Sequence, residues 1–283
     1  MTSEKNPIIS IITPVYNSAH LLPAYFDALL KSEFKDFEVI INDDLRSTDT
    51  TARVVQDYKE KGLNITYLKE NKSMAQGRKR ASLEASGKLY IHLDSDMQVT
   101  TGLLGECAKL SEQYDALVIP EESYGTTLWA KCKWLEKKCY EGVDYIESLR
   151  VMKKSVYQTV DGHNEAMVFS EDKDLDLRIR AAGFSVGRTQ NFVHHNEGNL
   201  KLSRTIRKKL FYTETANLFR ETHPKTFNKR ANVFNRYGLL LKNIKYFFKH
   251  PFVYLSTWFM LTCEFGAGFL RYVSLKLGIG KNA

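Results

Sequence analysis

No Cys-x-x-Cys pair occurs anywhere in these 283 residues, which removes the commonest zinc-binding spacing. The four cysteines, Cys107, Cys132, Cys139 and Cys263, are scattered. Cys132 and Cys139 fall on one expected helix, where seven residues of rise separate them by roughly 10 Å, too far for a disulfide. The opening "MTSEKNP" has no apolar signal region, so a reducing, cytoplasmic setting is expected. There is no internal repeat and no low-complexity tract. Acidic residues are nearly missing from one stretch: 201–250 holds 2 Asp/Glu against 13 Lys/Arg, a net of +11 in a chain whose total is +8. A basic segment beside a slightly acidic remainder points to an anionic surface partner, either a membrane or a nucleic acid.

What is present reads as an ordinary globular chain, long enough for a sizeable core. Short apolar runs alternate with helical periodicity. "PIISIITPVYNS" opens with a buried strand over about 8–13, ended by Pro14, with Asn17 or Ser18 as the cap of a helix that presents Leu22, Phe26, Leu29 and Leu30. "FEVIINDD" (37–44) is a second strand, and Ser47, Thr48 and Asp49 start the next helix. A strand over 64–70, a helix over 74–86 and a strand over 88–93 follow. Strands alternating with helices predict a mostly parallel sheet covered on both faces, an α/β fold. A helix near 101–113, a strand over 114–120 and a helix over 126–141 come next. A less regular half then leads to a helix from Ser170 to Ala182, with Leu175, Ile179 and Ala182 as core stripe and Gly183 as C-terminal stop.

The stretch "IHLDSDM" runs a strand straight into Asp94 and Asp96. Acids delivered there stand at the C-terminal edge of the sheet, where open α/β sheets bind ligands. Mg²⁺-like cations take one or two carboxylates plus substrate phosphates. The functional reading is a metal site for a phosphorylated substrate; taken alone, the Asp-x-Asp reads rather as a plain polar turn, and the rest of the chain decides between them.

"SIITPVYN", "FEVIINDD…STD", "GRKRA", "YIHLDSDM" and "EDKDLDLRIRAAGF" occur in the order and spacing of family-2 glycosyltransferases of the GT-A fold, which this chain resembles over roughly residues 8–200. The resemblance implies a Rossmann-like, GT-A type sheet, a nucleotide-diphosphate sugar donor, a divalent cation (Mn²⁺ or Mg²⁺) and inversion at the anomeric carbon. It implies donor contacts from Thr13, Pro14, Tyr16, Asp43 or Asp44, Arg78, Asp94 and Ser95. Tyr16 would stack on the base and Thr13 hydrogen-bond it. Family members usually read Asp-Asp-x-Ser-Thr-Asp after the second strand, whereas here Leu45-Arg46 adds one residue and leaves Asp43 against Asp44 open. Arg78, unlike its surface-type neighbours Lys79 and Arg80, is expected beside the diphosphate, where a guanidinium has bidentate reach. Asp96 is the expected direct metal ligand, with Asp94 on metal or ribose and His195, or else His194, as a further ligand. Asp172 of the Glu171-Asp172 pair matches the family's base, which takes the acceptor hydroxyl's proton. Without the resemblance, those acids would read as ordinary helix N-terminal residues favoured by the dipole. Trp129 and Trp134 line the acceptor site or pack in the core.

Beyond residue 200 the chain reads as a helical extension. Tyr237, Leu240, Leu241, Ile244 and Phe248 share one face of an expected amphipathic helix and Lys242, Lys245 and Lys249 the other, a pattern suited to an anionic membrane surface. Residues 251–270 are about long enough to cross a bilayer. The polar stripe of Thr257, Glu264 and Arg271 favours instead a helix in the interface or packed on the domain. The expected organisation is a nucleotide-sugar-binding half over 1–98, an acceptor-binding half over 99–200 and a membrane-associating region over 201–283. The expected activity is a hexosyltransferase-like transfer to a lipid-linked saccharide or polyprenyl carrier, on the cytoplasmic face of a membrane. The alternatives are a nucleic-acid or polyanion binder using 201–250, or a catalytically silent sugar-binding relative.

Overall fold

The computed structural model describes residues 6–277; residues 1–5, most of the "MTSEKNP" opening, and residues 278–283 lie outside the described residues. In chain order the elements are β1 (Ile9–Val15), α1 (Leu22–Lys31), β2 (Phe37–Asp44), α2 (Thr51–Glu60), β3 (Ile65–Asn71), α3 (Met74–Glu84), β4 (Leu89–His92), β5 (Met97–Val99), α4 (Leu103–Leu110), β6 (Ala116–Val118), β7 (Glu121–Tyr124), α5 (Leu128–Tyr140), β8 (Val151–Lys153), α6 (Lys154–Thr159), α7 (Glu171–Ala181), β9 (Val186–Arg188) and β10 (Val193–Asn196). Six helices complete the chain: α8 (Leu202–Thr215), α9 (Asn217–Thr222), α10 (Pro224–Ala231), α11 (Val233–Lys242), α12 (Lys245–Lys249) and α13 (Pro251–Lys276). They divide into two compact units, 1–121 with 148–195, and 122–147 with 196–283.

The first unit is α/β. Its seven-stranded sheet runs β3-β2-β1-β4-β8-β6-β9. β1, β2, β3 and β4 are parallel, β8 is antiparallel to both of its neighbours, and β9 is parallel to β6. β1 and β2 are buried along their whole length, as parallel strands covered on both faces must be. The period of two divides their side chains: Ile9, Ile11, Val39 and Ile41 pack with Leu22, Phe26, Val55 and Leu103 from α1, α2 and α4. Ile12, Ile40 and Tyr90 pack with Ala81, Leu175 and Ile179 from α3 and α7. Each such fully buried aliphatic side chain is worth roughly 1.5–3 kcal/mol relative to exposure.

The helix boundaries depart from the sequence reading where side chains have other work. Neither Asn17 nor Ser18 caps α1, whose cap position is Leu21 with no side-chain bond. Asn17 instead takes a left-handed backbone (φ 47°) and its Oδ1 accepts from the Thr48 and Asp49 amides, tying the β1 and β2 exit loops together. Ser47, Thr48 and Asp49 are thus drawn out of the helix, and α2 begins at Thr51, whose amide donates to Asp49 Oδ1. In α7, Leu175 and Ile179 are buried, but Ala182 is exposed because it already lies at the C-cap, before Gly183 turns the chain at φ 83°.

The second unit is helical. Leu135, Cys139 and Tyr140 of α5 form its core with Leu240, Tyr254 and Leu261. The continuous amphipathic helix expected over 237–248 is broken at Asn243 into α11 and α12, and of its apolar set only Leu240 is buried. Tyr254 explains the anchor: its hydroxyl donates to the Leu240 carbonyl at 2.9 Å. Trp134 lies half-buried and edge-on to Tyr246 and His250, and Trp129 faces Phe259, so both tryptophans belong to the packing of this unit. α13 packs on α5 and α8. Among the described residues no helix is long and apolar enough to cross a membrane.

Candidate active site

Strand polarity gathers the polar residues of the first unit. The parallel strands β1, β2 and β4 end at one edge, and they end in Pro14-Val15-Tyr16, Asp43-Asp44 and, two residues past β4, Asp94-Ser95-Asp96. Because β8 is antiparallel to β4, its N-terminal end lies at that same edge, and the His92 amide donates to the Arg150 carbonyl at 2.8 Å. β6 is antiparallel to β8 and therefore runs parallel to β4, so Glu121 also emerges there.

Arg78 joins the two distant acidic motifs. It projects from α3, which Ser73 caps by accepting from the Gln76 amide. Its side chain is only 5% exposed, and one guanidinium nitrogen donates to Asp94 Oδ1 at 2.6 Å while the other donates to Glu171 Oε1 at 2.5 Å. Glu171 opens α7 after Ser170, which holds the left-handed backbone (φ 57°) at a cost on the order of 1–3 kcal/mol for a non-glycine residue. The Asp172 carboxylate lies within electrostatic reach of both Arg78 and Arg150, and its Oδ1 accepts from the Lys173 amide.

The surroundings set the protonation states. Burial pushes the Asp94 carboxyl up, but Arg78, Arg150 and His195 outweigh it and hold the group below the usual aspartate range. Burial and then the Asp172 charge raise Glu171 above the ordinary glutamate value despite Arg78. Behind the arginines His92 is fully buried with neither ring nitrogen hydrogen-bonded, stacked on Tyr157 at 5.6 Å and beside His163 at 4.8 Å. Burial, then Arg78 and Arg150, push His92 down to about 3, so it stays neutral and leaves the carboxylates to the guanidiniums.

A second cluster surrounds Asp96. Its Oδ2 is 3.3 Å from His195 Nε2, while His195 Nδ1 is 3.1 Å from Glu121 Oε2. Glu121 Oε1 accepts from Arg150, and a second Arg150 nitrogen is 3.7 Å from Asp94 Oδ2. β10 carries His195 into place by pairing antiparallel with β5, where His195 stands opposite Met97. His194 alternates to the other side and packs edge-on to Phe192. Asp96 Oδ1 is buried with no hydrogen-bond partner. Among the described residues no group of three His, Cys, Asp or Glu is arranged to hold a metal by itself. Two protein donors with an orphaned carboxylate oxygen nevertheless fit a hard cation that completes its shell with phosphate oxygens and water.

At the ends of β1 and β2, Tyr16 is 55% exposed, with the Arg46 guanidinium 5.7 Å from its ring centroid. Thr13 is fully buried and its hydroxyl bonds Tyr25 at 2.6 Å, and Pro14 is buried too, so neither presents a free side chain to a ligand. The added residue after β2 has a visible consequence. The ladder to β3 slips at Asp43/Asp44, and Arg46 folds back to clamp both oxygens of Asp44 at 2.8 and 2.6 Å. Asp43 accepts from the Tyr67 hydroxyl at 2.7 Å through Oδ2, and its buried Oδ1 has no partner. Ser95 donates to Ser18 Oγ at 3.1 Å, linking the Asp-x-Asp turn to the β1 exit.

Arg78, Asp94, Glu171, Asp96 and His195 are therefore gathered at one edge. Arg150 and Glu121 belong with them but do not stand out in the sequence. Their only local signal is position, one just before a strand and the other just after a strand and a proline.

Comparison with known proteins bears on the family and the fold. A glucosyltransferase of Campylobacter jejuni named for GalNAc(5)-diNAcBac-PP-undecaprenol is 36% identical over 101 residues, 35% of this chain and 32% of that protein. An Escherichia coli glucosyltransferase, WfgD, named for UDP-Glc and α-D-GlcNAc-diphosphoundecaprenol, is 32% identical over 89 residues, 31% of this chain and 35% of that protein. The chain thus spans about a third of the length of these curated relatives. The mannosyltransferase PcManGT of Pyrobaculum calidifontis, solved with GDP-Man and Mn²⁺, has the same fold, with a TM-score of 0.63 at 17% identity over 96% of this chain and 89% of that one. S. aureus TarS (residues 1–349) gives 0.55 at 16% identity, over 95% and 91% of the two chains. The model of glycosyl transferase family 2 matches residues 10–168, more than half of the chain and all of the strand ends that carry Asp43, Asp94 and Arg150; the protein belongs to glycosyl transferase family 2.

Proposed function

We propose that this glycosyltransferase moves a hexose from a nucleoside-diphosphate sugar to a hydroxyl of a lipid-linked saccharide or polyprenyl carrier, with inversion, at the cytoplasmic face of a membrane. The observation that carries the reading is the single guanidinium of Arg78 bonded to both Asp94 and Glu171, 93 positions apart. It brings the acids after β4 and those opening α7 to one cleft edge, as a displacement with donor and base on opposite sides of one carbon requires.

Each chain residue then has work that its geometry suits. Tyr16, exposed at the end of β1, stacks on the nucleobase, and the unpartnered oxygen of Asp43 accepts from base or ribose. Asp94, held by Arg78 and close to Arg150, is a positioning carboxylate, with Ser95 bracing its turn. Arg78 is likewise a positioning residue, because two carboxylates already occupy it. Asp96 and His195 would hold a Mn²⁺ or Mg²⁺ ion, which when bound neutralises the diphosphate as it leaves. The ion pairs suit this donor set: Arg78 pairs with Asp94 and Glu171, Arg150 with Glu121 and Asp94, and Asp96 meets His195. Asp172 takes the acceptor hydroxyl's proton, and Glu171 beside it is held in place by Arg78. The lipid-linked acceptor draws support from the two undecaprenol-named relatives and from the basic helical unit. The direct test is a screen of nucleotide sugars with and without Mn²⁺, read by nucleoside diphosphate release. Metal-stimulated release from one donor is expected, and no release or binding with any donor would overturn the reading.

A further inference from the structure

α13 is apolar on both sides: Tyr254, Met260 and Leu261 pack inward, two polar side chains are buried with them, and a second apolar set faces outward. In an ordinary surface helix the apolar stripe packs inward and the polar residues face water. Here Thr257 is fully buried and Glu264 is 7% exposed. Glu264 reaches Lys133 Nζ of α5 at 2.9 Å, the same lysine bonds Glu136 at 2.7 Å, and Arg271 donates to Glu214 of α8 at 2.8 Å. The outward stripe is apolar: Phe252, Leu255, Phe259, Phe269 and Leu270 are 57–70% exposed. Positions 252, 255, 259, 262, 266 and 269 follow helical spacing along one face, and all are exposed. The same character extends back into α11 and α12, where exposed Leu241, Ile244 and Phe248 alternate with exposed Lys242, Lys245 and Lys249.

Exposed phenylalanines and leucines in two groups, over 252–259 and at 269–270 with Thr262 and Gly266 between them, mark an interaction face, and their chemistry selects the partner. Phenylalanine and leucine along one stripe with lysines beside them suit the boundary between lipid headgroups and acyl chains, where the rings enter the hydrocarbon and the ammonium groups stay with anionic headgroups. A second copy of the chain would cover the rings but offers no counter-charge to the lysines beside them. A nucleic acid would satisfy the lysines and some rings but leave Leu255 and Leu270 in water. Crossing the bilayer is disfavoured by the Glu264 and Arg271 side.

We propose that the outer face of α12 and α13 inserts in the interfacial layer of an anionic bilayer, holding the enzyme as a monotopic protein. This deepens the reading of a lipid-linked acceptor and rests on it for its purpose, but not for its test. Glu264 is paired inward with Lys133 and Arg271 is bonded to Glu214 of α8, so neither charge belongs to the outward stripe. The lysines steer and the rings anchor.

The test is sedimentation of the full chain with vesicles of phosphatidylcholine alone or mixed with phosphatidylglycerol, at low and high salt. Binding to the anionic vesicles is expected, with part of it surviving high salt, because buried rings are not screened as exposed charges are. The triple variant Phe252→Ser, Phe259→Ser, Phe269→Ser changes exposed side chains only; it should lose about tenfold or more in partitioning and all of the salt-resistant part. The variant Lys242→Gln, Lys245→Gln, Lys249→Gln should lose preference for the anionic lipid instead. Unchanged binding by the phenylalanine variant overturns insertion. Dimers that this variant dissolves, with no vesicle binding, make a second copy the partner; tighter binding to single-stranded RNA than to vesicles makes it nucleic acid. Donor turnover without vesicle binding sinks this inference alone, and vesicle binding without turnover of any donor sinks the transferase chemistry alone.

Discussion

Glu121 Oε2 stands 3.1 Å from Nδ1 of His195, and the other nitrogen of the same ring stands 3.3 Å from Asp96. A carboxylate on one imidazole nitrogen fixes which nitrogen carries the proton and turns the lone pair of the other toward its target. Glu121 is in turn held by Arg150, so the ring orientation is inherited from the sheet. Glu121→Gln keeps the shape but weakens this bias. Mn²⁺ affinity in the presence of a nucleoside diphosphate is expected to fall about 10- to 100-fold, measured by titration calorimetry. Affinity equal to that of the wild type would remove Glu121 from the cation site.

Arg78→Met tests the central guanidinium. The substitution leaves Asp94 and Glu171 facing each other's charge with no bonded cation between them. Breaking a buried pair costs about 3–5 kcal/mol, and the lower figure suits a site where Asp94 keeps 27% exposure. The sign with pH follows from the carboxyls. Without Arg78 the folded values of both rise above their unfolded ones, so the variant is least impaired below the ordinary carboxyl range and loses stability as pH climbs through the raised values. In the wild type the depressed Asp94 does the reverse, stabilising above its ordinary value and losing that contribution as pH falls through the depressed one. Thermal unfolding at about pH 5 and pH 8 should show the deficit growing with pH. A deficit independent of pH would mean the loss is one of packing alone.

The strands and most of the site were legible because both follow from short-range pattern. Continuous isoleucine runs mark β1 and β2 as buried on both faces, and acids at the end of β2 and after β4 mark the candidate ligand edge. Arg150 and Glu121 were not legible, because they join the site only through the antiparallel insertion of β8, a pairing between segments some 60 residues apart that no local period encodes. The face of α13 was not legible for the opposite reason. Its period of seven is plain in Thr257, Glu264 and Arg271, but which side meets the protein depends on Lys133 and Glu214, partners from distant helices. The same holds for Asp43 and Asp44, where a one-residue insertion let Arg46 choose between them.

That choice has a measurable consequence. Asp44 gives both oxygens to Arg46, whereas Asp43 keeps a buried oxygen without a partner. Asp43→Asn should therefore lower affinity for the donor nucleotide by one charge-assisted bond, about 1.5–3 kcal/mol or roughly 10- to 100-fold. Asp44→Asn should change nucleotide affinity less than about threefold, since its loss falls mainly on the ion pair with Arg46, whose exposed side is screened by solvent. Nucleoside diphosphate binding by calorimetry decides it, and a reversed order would assign the contact to Asp44.

The proposed base separates binding from chemistry most sharply. Asp172 sits one residue past the carboxylate that Arg78 holds, so its position is set by α7 rather than by its own contacts. Asp172→Asn is nearly isosteric and leaves the Arg78 bonds intact, so folding and donor affinity should match the wild type. It cannot take a proton, so transfer should fall by about 10²–10⁴-fold, the usual worth of a positioned base. Glu171→Gln is the control: it weakens the bond to Arg78, so it should cost stability together with rate, where Asp172→Asn costs rate alone. Transfer rates, donor affinities and melting temperatures of the two variants distinguish these patterns. Full transfer activity in Asp172→Asn would return the role of base to another group.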